Sequence, residues 1–279
     1  MSDPAGEKPR RWLVVPHWRD PRWTGASFLA GYVVFALLTP GFSRTPDQVG
    51  AALAACVGLD LVFHLFVWKV PLFPLSALFP ALGVNLMCDA PGVWPYAVAG
   101  AVGMLSKHLL RARGRHVFNP LNFGIVVMLL FASAHIRIGD ERWGGHWAGA
   151  AVVTLLGTVS CFRSNRLDLA ATYALGFLAG SAVLSVVQDR VFWSLAAPAT
   201  GALFCLFTFS MLTDPATTPD GRARRVTFGL AVAALETALR FAEVRNAPFY
   251  SLFAVTAAFS ALPPEPARGP IPAPWKYAA

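Results

Sequence analysis

The sequence predicts an all-α integral membrane protein, with about ten transmembrane helices arranged as two inverted five-helix repeats and both termini cytoplasmic. Three observations predict it: an apolar composition, a series of apolar runs of near-membrane length, and a match between the two halves of the chain. Of 279 residues, 56 % are apolar and 14 % charged, against roughly 25 % charged in soluble domains, and the mean hydropathy is +0.52. A hydrocarbon core of roughly 30 Å takes about 20 apolar residues per helix, so the chain accommodates about ten spans and no sizeable soluble domain.

A basic arm, residues 1–23, precedes the first apolar run. The runs then lie at 25–40, 48–68, 72–88, 93–110 and 119–136 in the first repeat (24–138), and at 146–162, 168–187, 195–213, 225–241 and 247–262 in the second (139–263), followed by a tail, 264–279. Pro71, Pro74, Pro80, Pro95 and Pro198 open or interrupt several runs, which predicts tilted or broken helices there. Leu53–Ala54–Ala55–Cys56 has the order of a lipoprotein cleavage box, but its place inside the second run is too deep for a signal peptide.

Orientation follows from the cations. With the N-terminus inside, 17 of the 23 lysines and arginines fall in cytoplasmic segments, and only Arg44, Arg137, Arg142, Arg190, Arg240 and Arg245 fall outside. All nine tryptophans lie at or near run ends or in the tails, where the ring prefers the interface. The expected location is a bacterial-type inner membrane. The net charge of +8 is accounted for by loops facing anionic lipid, with no nucleic-acid partner. The four cysteines show no Cys-x-x-Cys spacing and read as small packing residues.

The internal match sets SALFPALGVNLMCDAP (76–91) against GALFCLFTFSMLTDPA (201–216), aligning Asp89 with Asp214, and sets Asn119 against Asn246. Five spans per half place the second copy upside down, with a site expected between broken helices at the repeat interface.

Two turns carry the chemistry. In RARGRHVFNPLNFG (111–124), Asn119–Pro120 reads as a helix start, with Asn capping and Pro at the first helical position. The cations before it serve topology. Free amides at that start, with Arg115 and His116 beside them, also suit an anionic group such as a phosphate. In MLTDPATTP (211–219), Thr213, Asp214, Thr217 and Thr218 either hold a polar ligand or cap the next element. Within the membrane, Asp60 and His64 lie four apart on one helix face and form either an ion relay or a mutually bonded structural pair.

These two turns and the ten runs in two halves resemble the NqrB/RnfD family, membrane proteins of the sodium-pumping NADH:quinone reductase and of the Rnf electron-transport complex. The resemblance implies a flavin-carrying subunit that passes electrons through the membrane, coupled to ion movement, beside other membrane or redox subunits. The family's covalent FMN hangs on the Thr of a Ser/Thr-Gly-Ala-Thr stretch near mid-chain. No such stretch occurs here, and IRIGDERWGGHW (136–147) has neither Ser nor Thr. The expectation is therefore non-covalent FMN or riboflavin, with Arg115, His116, Asn119, Thr213, Asp214, Thr217 and Thr218 as its binding residues. A solute channel or transporter on the same fold, and a non-catalytic scaffold for a redox partner, remain as alternatives. Soluble-enzyme motifs are absent: the chain has no Gly-rich phosphate loop, metal-spaced His cluster or nucleophile elbow. Reporters fused after Ala279 and inserted near Gly114 should both read as cytoplasmic; a periplasmic reading at either site breaks the ten-span arrangement.

Overall fold

The computed structural model describes residues 14–18, 20–38, 44–139 and 147–263. Most of the basic arm, the loop 140–146 and the tail from 264 lie outside the described residues. The expected apolar runs become eleven α-helices, because one run is broken in two. The first half contains α1 (Pro21–Leu38), α2 (Pro46–Val62), α3 (Leu78–Met87), α4 (Trp94–Leu109) and α5 (Pro120–Phe131). The second contains α6 (Trp147–Arg163), α7 (Leu167–Val187), the broken pair α8 (Phe192–Ala196) and α9 (Ala202–Leu206), then α10 (Arg222–Phe241) and α11 (Ala247–Ala261).

Two helical segments are long and apolar enough to cross a membrane: Pro46–Val67, which continues α2 through a π-helical turn at Phe63–Val67, and α7. The pair Phe192–Thr200 and Ala202–Met211 makes a third only as a broken span, bent by 61° where Gly201 interrupts it. The remaining apolar helices are shorter. At 1.5 Å per residue, the ten residues of α3 rise about 15 Å, half the thickness of the hydrocarbon core. Large apolar side chains including Phe66, Phe131, Phe162, Leu175, Val186 and Trp193 are exposed around the outside, as expected of a lipid-facing surface. Among the described residues the expected all-α class is modified by four two-residue strands: β1 (Cys88–Asp89) pairs antiparallel with β4 (Arg137–Ile138), and β2 (Arg111–Ala112) with β3 (Arg115–His116).

The core is built around the short helices. Every residue from Pro80 to Ala90 is buried, and so are Ala202, Cys205, Phe207, Thr208, Met211 and Leu212. Around α3 pack α1, α2, α4 and α5, while α6 packs on α9. On the flanks α2 lies along α4, and α7 along α10. Across the halves the main helix contacts are α1 with α6, α3 with α9, and α5 with α11.

Close helix approach depends on small residues, as in other membrane bundles. A Cβ on Gly103 would lie 2.2 Å from the Pro120 carbonyl oxygen, and one on Gly124 would lie 2.1 Å from that of Ala99. Backbone cannot yield as a side-chain tip can, so α4 and α5 touch only because both positions are glycine. Gly124→Ala should therefore cost about 1–3 kcal/mol, measured as a lower thermal midpoint in detergent; an unchanged midpoint would show that the helices part without loss.

Candidate functional site

Two polar sites emerge, one at the end of α2 and one between the turns that follow α4 and α9. At the first, Asp60 is fully buried on α2, immediately before the π-helical turn, a distortion common at functional sites. Its Oδ1 accepts from Lys107 Nζ at 2.7 Å and pairs with His108 Nε2 at 2.9 Å, both on α4. Lys107 also donates to Ser76 Oγ at 2.8 Å, in the turn leading into α3. His64, one turn after Asp60, donates through Nδ1 to the Asp60 backbone carbonyl at 2.8 Å, and the same nitrogen stands 3.6 Å from Oδ1. The expected Asp60 and His64 pair is thus part of a larger cluster in which the principal partners of Asp60 come from another helix.

The tautomer of His108 follows from its neighbours. Trp68 Nε1 is donor-only and lies 3.3 Å from His108 Nδ1, so Nδ1 accepts and the proton sits on Nε2, directed at Asp60. The Phe63 ring stacks on His108 at 4.3 Å and holds its plane. Asp60 Oδ2 is buried with no hydrogen-bond partner among the described residues. Ligand atoms of Asp60, His64 and His108 lie within 4.8 Å of one another, a spacing open to a metal ion. The donor set does not suit one: Lys107 already supplies the counter-charge, and metal binding at Nε2 would turn an Nδ1 proton toward the Trp68 N–H. A carboxylate, an ammonium and two imidazoles in contact are instead groups able to exchange protons with one another.

At the second site the two expected turns meet. Asn119 caps α5 as predicted, its Oδ1 accepting from the Asn122 amide at 3.1 Å with Pro120 at the first helical position. Its Nδ2 donates to Asp214 Oδ2 at 3.2 Å, and His116 Nε2 lies 3.7 Å from the same oxygen. Asp214 closes its own turn, accepting from the Ala216 amide at 3.0 Å and from Thr217 Oγ1 at 3.3 Å. Thr218 Oγ1 donates to the Asp214 carbonyl at 2.8 Å and accepts from Arg166 at 2.5 Å. Arg115 and Arg166 bind opposite oxygens of Asp220 at 2.8 and 3.2 Å. Six of the seven expected residues are therefore neighbours. Thr213 is not among their partners: it donates to the Phe209 carbonyl at 2.7 Å and accepts from Cys161 of α6.

Burial by itself would raise the Asp214 carboxyl, but the His116 imidazole beside it, with the hydrogen bonds from Ala216 and Thr217, holds it below the usual carboxylate range. Arg115 and Arg166 share Asp220 as counter-ion, and His116 and Asn119 face Asp214. Asp214 and Asp220 set two carboxylates among these cations, and those carboxylates would repel the phosphate of FMN.

Sequence reasoning missed Lys107, His108, Ser76, Trp68, Arg166 and Asp220. Lys107 and Arg166 stood in the sequence as inside cations, and nothing in their spacing announced partners 47 and 54 residues away. Compared with known proteins, the chain matches no family model and no curated protein.

A carboxyl held low contributes stability above its unfolded value near 3.8 and loses it as the pH falls through the lower folded value. Asp214→Asn should therefore reduce stability by about 1–3 kcal/mol near neutral pH, with the gap to the unaltered protein closing under acid; thermal unfolding across a pH series measures it, and a gap independent of pH would mean the carboxylate charge contributes nothing.

Proposed function

We propose that this protein is a membrane-embedded, proton-translocating subunit of an electron-transport complex, built as two inverted five-helix repeats of full and half spans. The observation that carries the proton reading is the Asp60 cluster: a buried carboxylate with one unpartnered oxygen, touched by Lys107 and His108 across a helix interface and followed by His64. Ionisable groups at membrane depth are costly and persist where they serve ion pathways. The ion is a proton rather than sodium because the carboxylate is already balanced by an ammonium, which leaves no net charge for a metal cation. Proton exchange needs only the lone pairs and N–H groups present.

Three features support the repeat and its topology. Elements expected to be counterparts are the ones that meet across the halves, as a twofold axis requires: α1 with α6, α3 with α9, α5 with α11. Segments assigned to the cytoplasm contact one another, through Arg115 with Asp220, Arg225 with Asp168, Arg113 with the Leu262 carbonyl and Arg224 with the Pro263 carbonyl. On the opposite side Arg44 and Arg137 share Asp89.

Membership of an electron-transport complex rests on the resemblance of the two turns, and the partners it implies are other membrane or redox subunits. Any flavin at the joined turns is non-covalent, and the neutral ribityl chain of riboflavin suits their hydroxyls and carboxylates better than the phosphate of FMN. A second reading, a solute channel on the same fold, is favoured by the half-length helices α3 and α9 meeting in the core. Liposomes holding the purified protein separate the two by passing protons or solute.

Asp60→Asn should reduce proton flux by about a hundredfold. Because that change strands Lys107, Asp60→Asn combined with Lys107→Gln removes both charges and keeps the fold. Normal flux in the folded double variant would overturn the proposal.

A further inference from the structure

The second half carries a buried carboxyl of its own. Glu236 sits on the face of α10 that packs on α7 and is 3 % exposed. Tyr173 of α7, fully buried, donates its hydroxyl to Glu236 Oε2 at 2.7 Å. Aromatic rings enclose that phenol, with Phe204 and Phe207 at 5.6 and 5.4 Å. Arg240, one turn further along α10, is engaged elsewhere: it donates to Ser181 Oγ at 3.0 Å and to the Leu195 carbonyl at 2.6 Å, and its guanidinium lies 4.6 Å above the Phe177 ring. Among the described residues no Lys, Arg or His nitrogen comes within 4.0 Å of the Glu236 carboxyl oxygens. Arg190 stands behind Arg240, and α8, α9 and α11 contribute no charged residue.

The contrast with Asp60 is chemical. Asp60 touches an ammonium and a donating imidazole; among the described residues Glu236 touches only a neutral phenol, and the nearest guanidinium, Arg240 one turn away, spends its bonds on Ser181 and the Leu195 carbonyl. A bare carboxylate is expensive there, and the carboxyl avoids the cost by keeping its proton. The place is not arbitrary either. Lys107 links α4 to Asp60 on α2 and to Ser76 before α3, while Arg240 links α10 to Ser181 on α7 and to Leu195 before α9. Glu236 therefore belongs to the same helix pairing in its half as Asp60 does in the first.

We propose that Glu236, with Tyr173 as its hydrogen-bonding partner, is a second proton-binding site, loaded at neutral pH and exchanging its proton with water during turnover. When the proton leaves for water, the carboxylate accepts from the Tyr173 hydroxyl and faces Arg240; when it returns, the carboxyl is neutral again, so charge and protons balance. Its role in turnover rests on the proton-translocation reading above, but the loaded carboxyl does not.

Infrared spectra of the full detergent-purified chain test the loaded state directly. The unaltered protein minus Glu236→Gln should show one protonated-carboxyl carbonyl band at neutral pH that shifts in heavy water and is lost at high pH. Tyr173→Phe, which keeps the carboxyl, should shift that band by removing its hydrogen bond. Absence of the band from the difference spectrum overturns the proposal; where Glu236→Gln does not fold, absence of any shift in Tyr173→Phe overturns it instead. Proton flux is scored separately: the band without flux in the unaltered protein leaves Glu236 as a proton-binding site and overturns translocation, whereas flux without the band overturns Glu236 and leaves translocation standing.

Discussion

Two short helices at the centre of this protein, α3 and α9, are held at their ends by basic side chains that reach in from neighbouring elements. A buried peptide group left unsatisfied costs up to several kcal/mol, so where these ends are buried their polar groups must find partners inside the protein. A basic side chain meets each of the four ends. Before α3, Lys107 binds Ser76; after it, Arg44 binds the Asn85 and Cys88 carbonyls and Asp89. Before α9, Arg240 binds the Leu195 carbonyl; after it, Arg166 binds Thr218, the Pro219 carbonyl and Asp220. Each cation comes from a helix end or flank that packs alongside, so the half-length helices position the long ones and are positioned by them.

The same device has different chemical consequences in the two halves. Where Lys107 reaches the first half-helix it also meets Asp60, and a carboxylate and ammonium neutralise each other. Where Arg240 does the equivalent work it meets Ser181, which is uncharged, and the nearby carboxyl of Glu236 is left to a phenol. One half thus holds a carboxylate bonded to an ammonium and the other a carboxyl bonded to a phenol.

The turns that join the halves are held by charge rather than by apolar area. Asn119 both starts α5 and reaches Asp214, so the cap of one half is bonded to the turn that ends the half-helix of the other. Arg115 and Arg166 converge on Asp220 from opposite halves. These bonds tie α5 to the turn after α9, and they set two carboxylates where a phosphate would have to come.

Much of this was legible in the chain. Runs of apolar residues marked the helical segments to within a few residues, because hydrophobicity and Pro or Gly breaks are local properties. The Asn119 cap and the shared face of Asp60 and His64 followed from spacing along one helix. What the sequence could not determine was length of crossing and choice of partner. α3 is ten residues long, and the lysine and arginine that bond at its two ends come from elsewhere in the chain, Lys107 from α4 and Arg44 from just before α2. Lys107 and His108 became partners of Asp60, Asp220 became the shared counter-ion of Arg115 and Arg166, and Tyr173 became the donor to Glu236, each across at least 47 residues of chain. Such contacts leave no mark in local spacing, because they depend on which helix faces lie against each other. The sequence by itself determined where the helices are and marked Asp60 as a buried charge; only the tertiary structure decided that Arg44, His108, Arg166 and Glu236 are buried too and which of these groups are paired, because both depend on which helix faces meet.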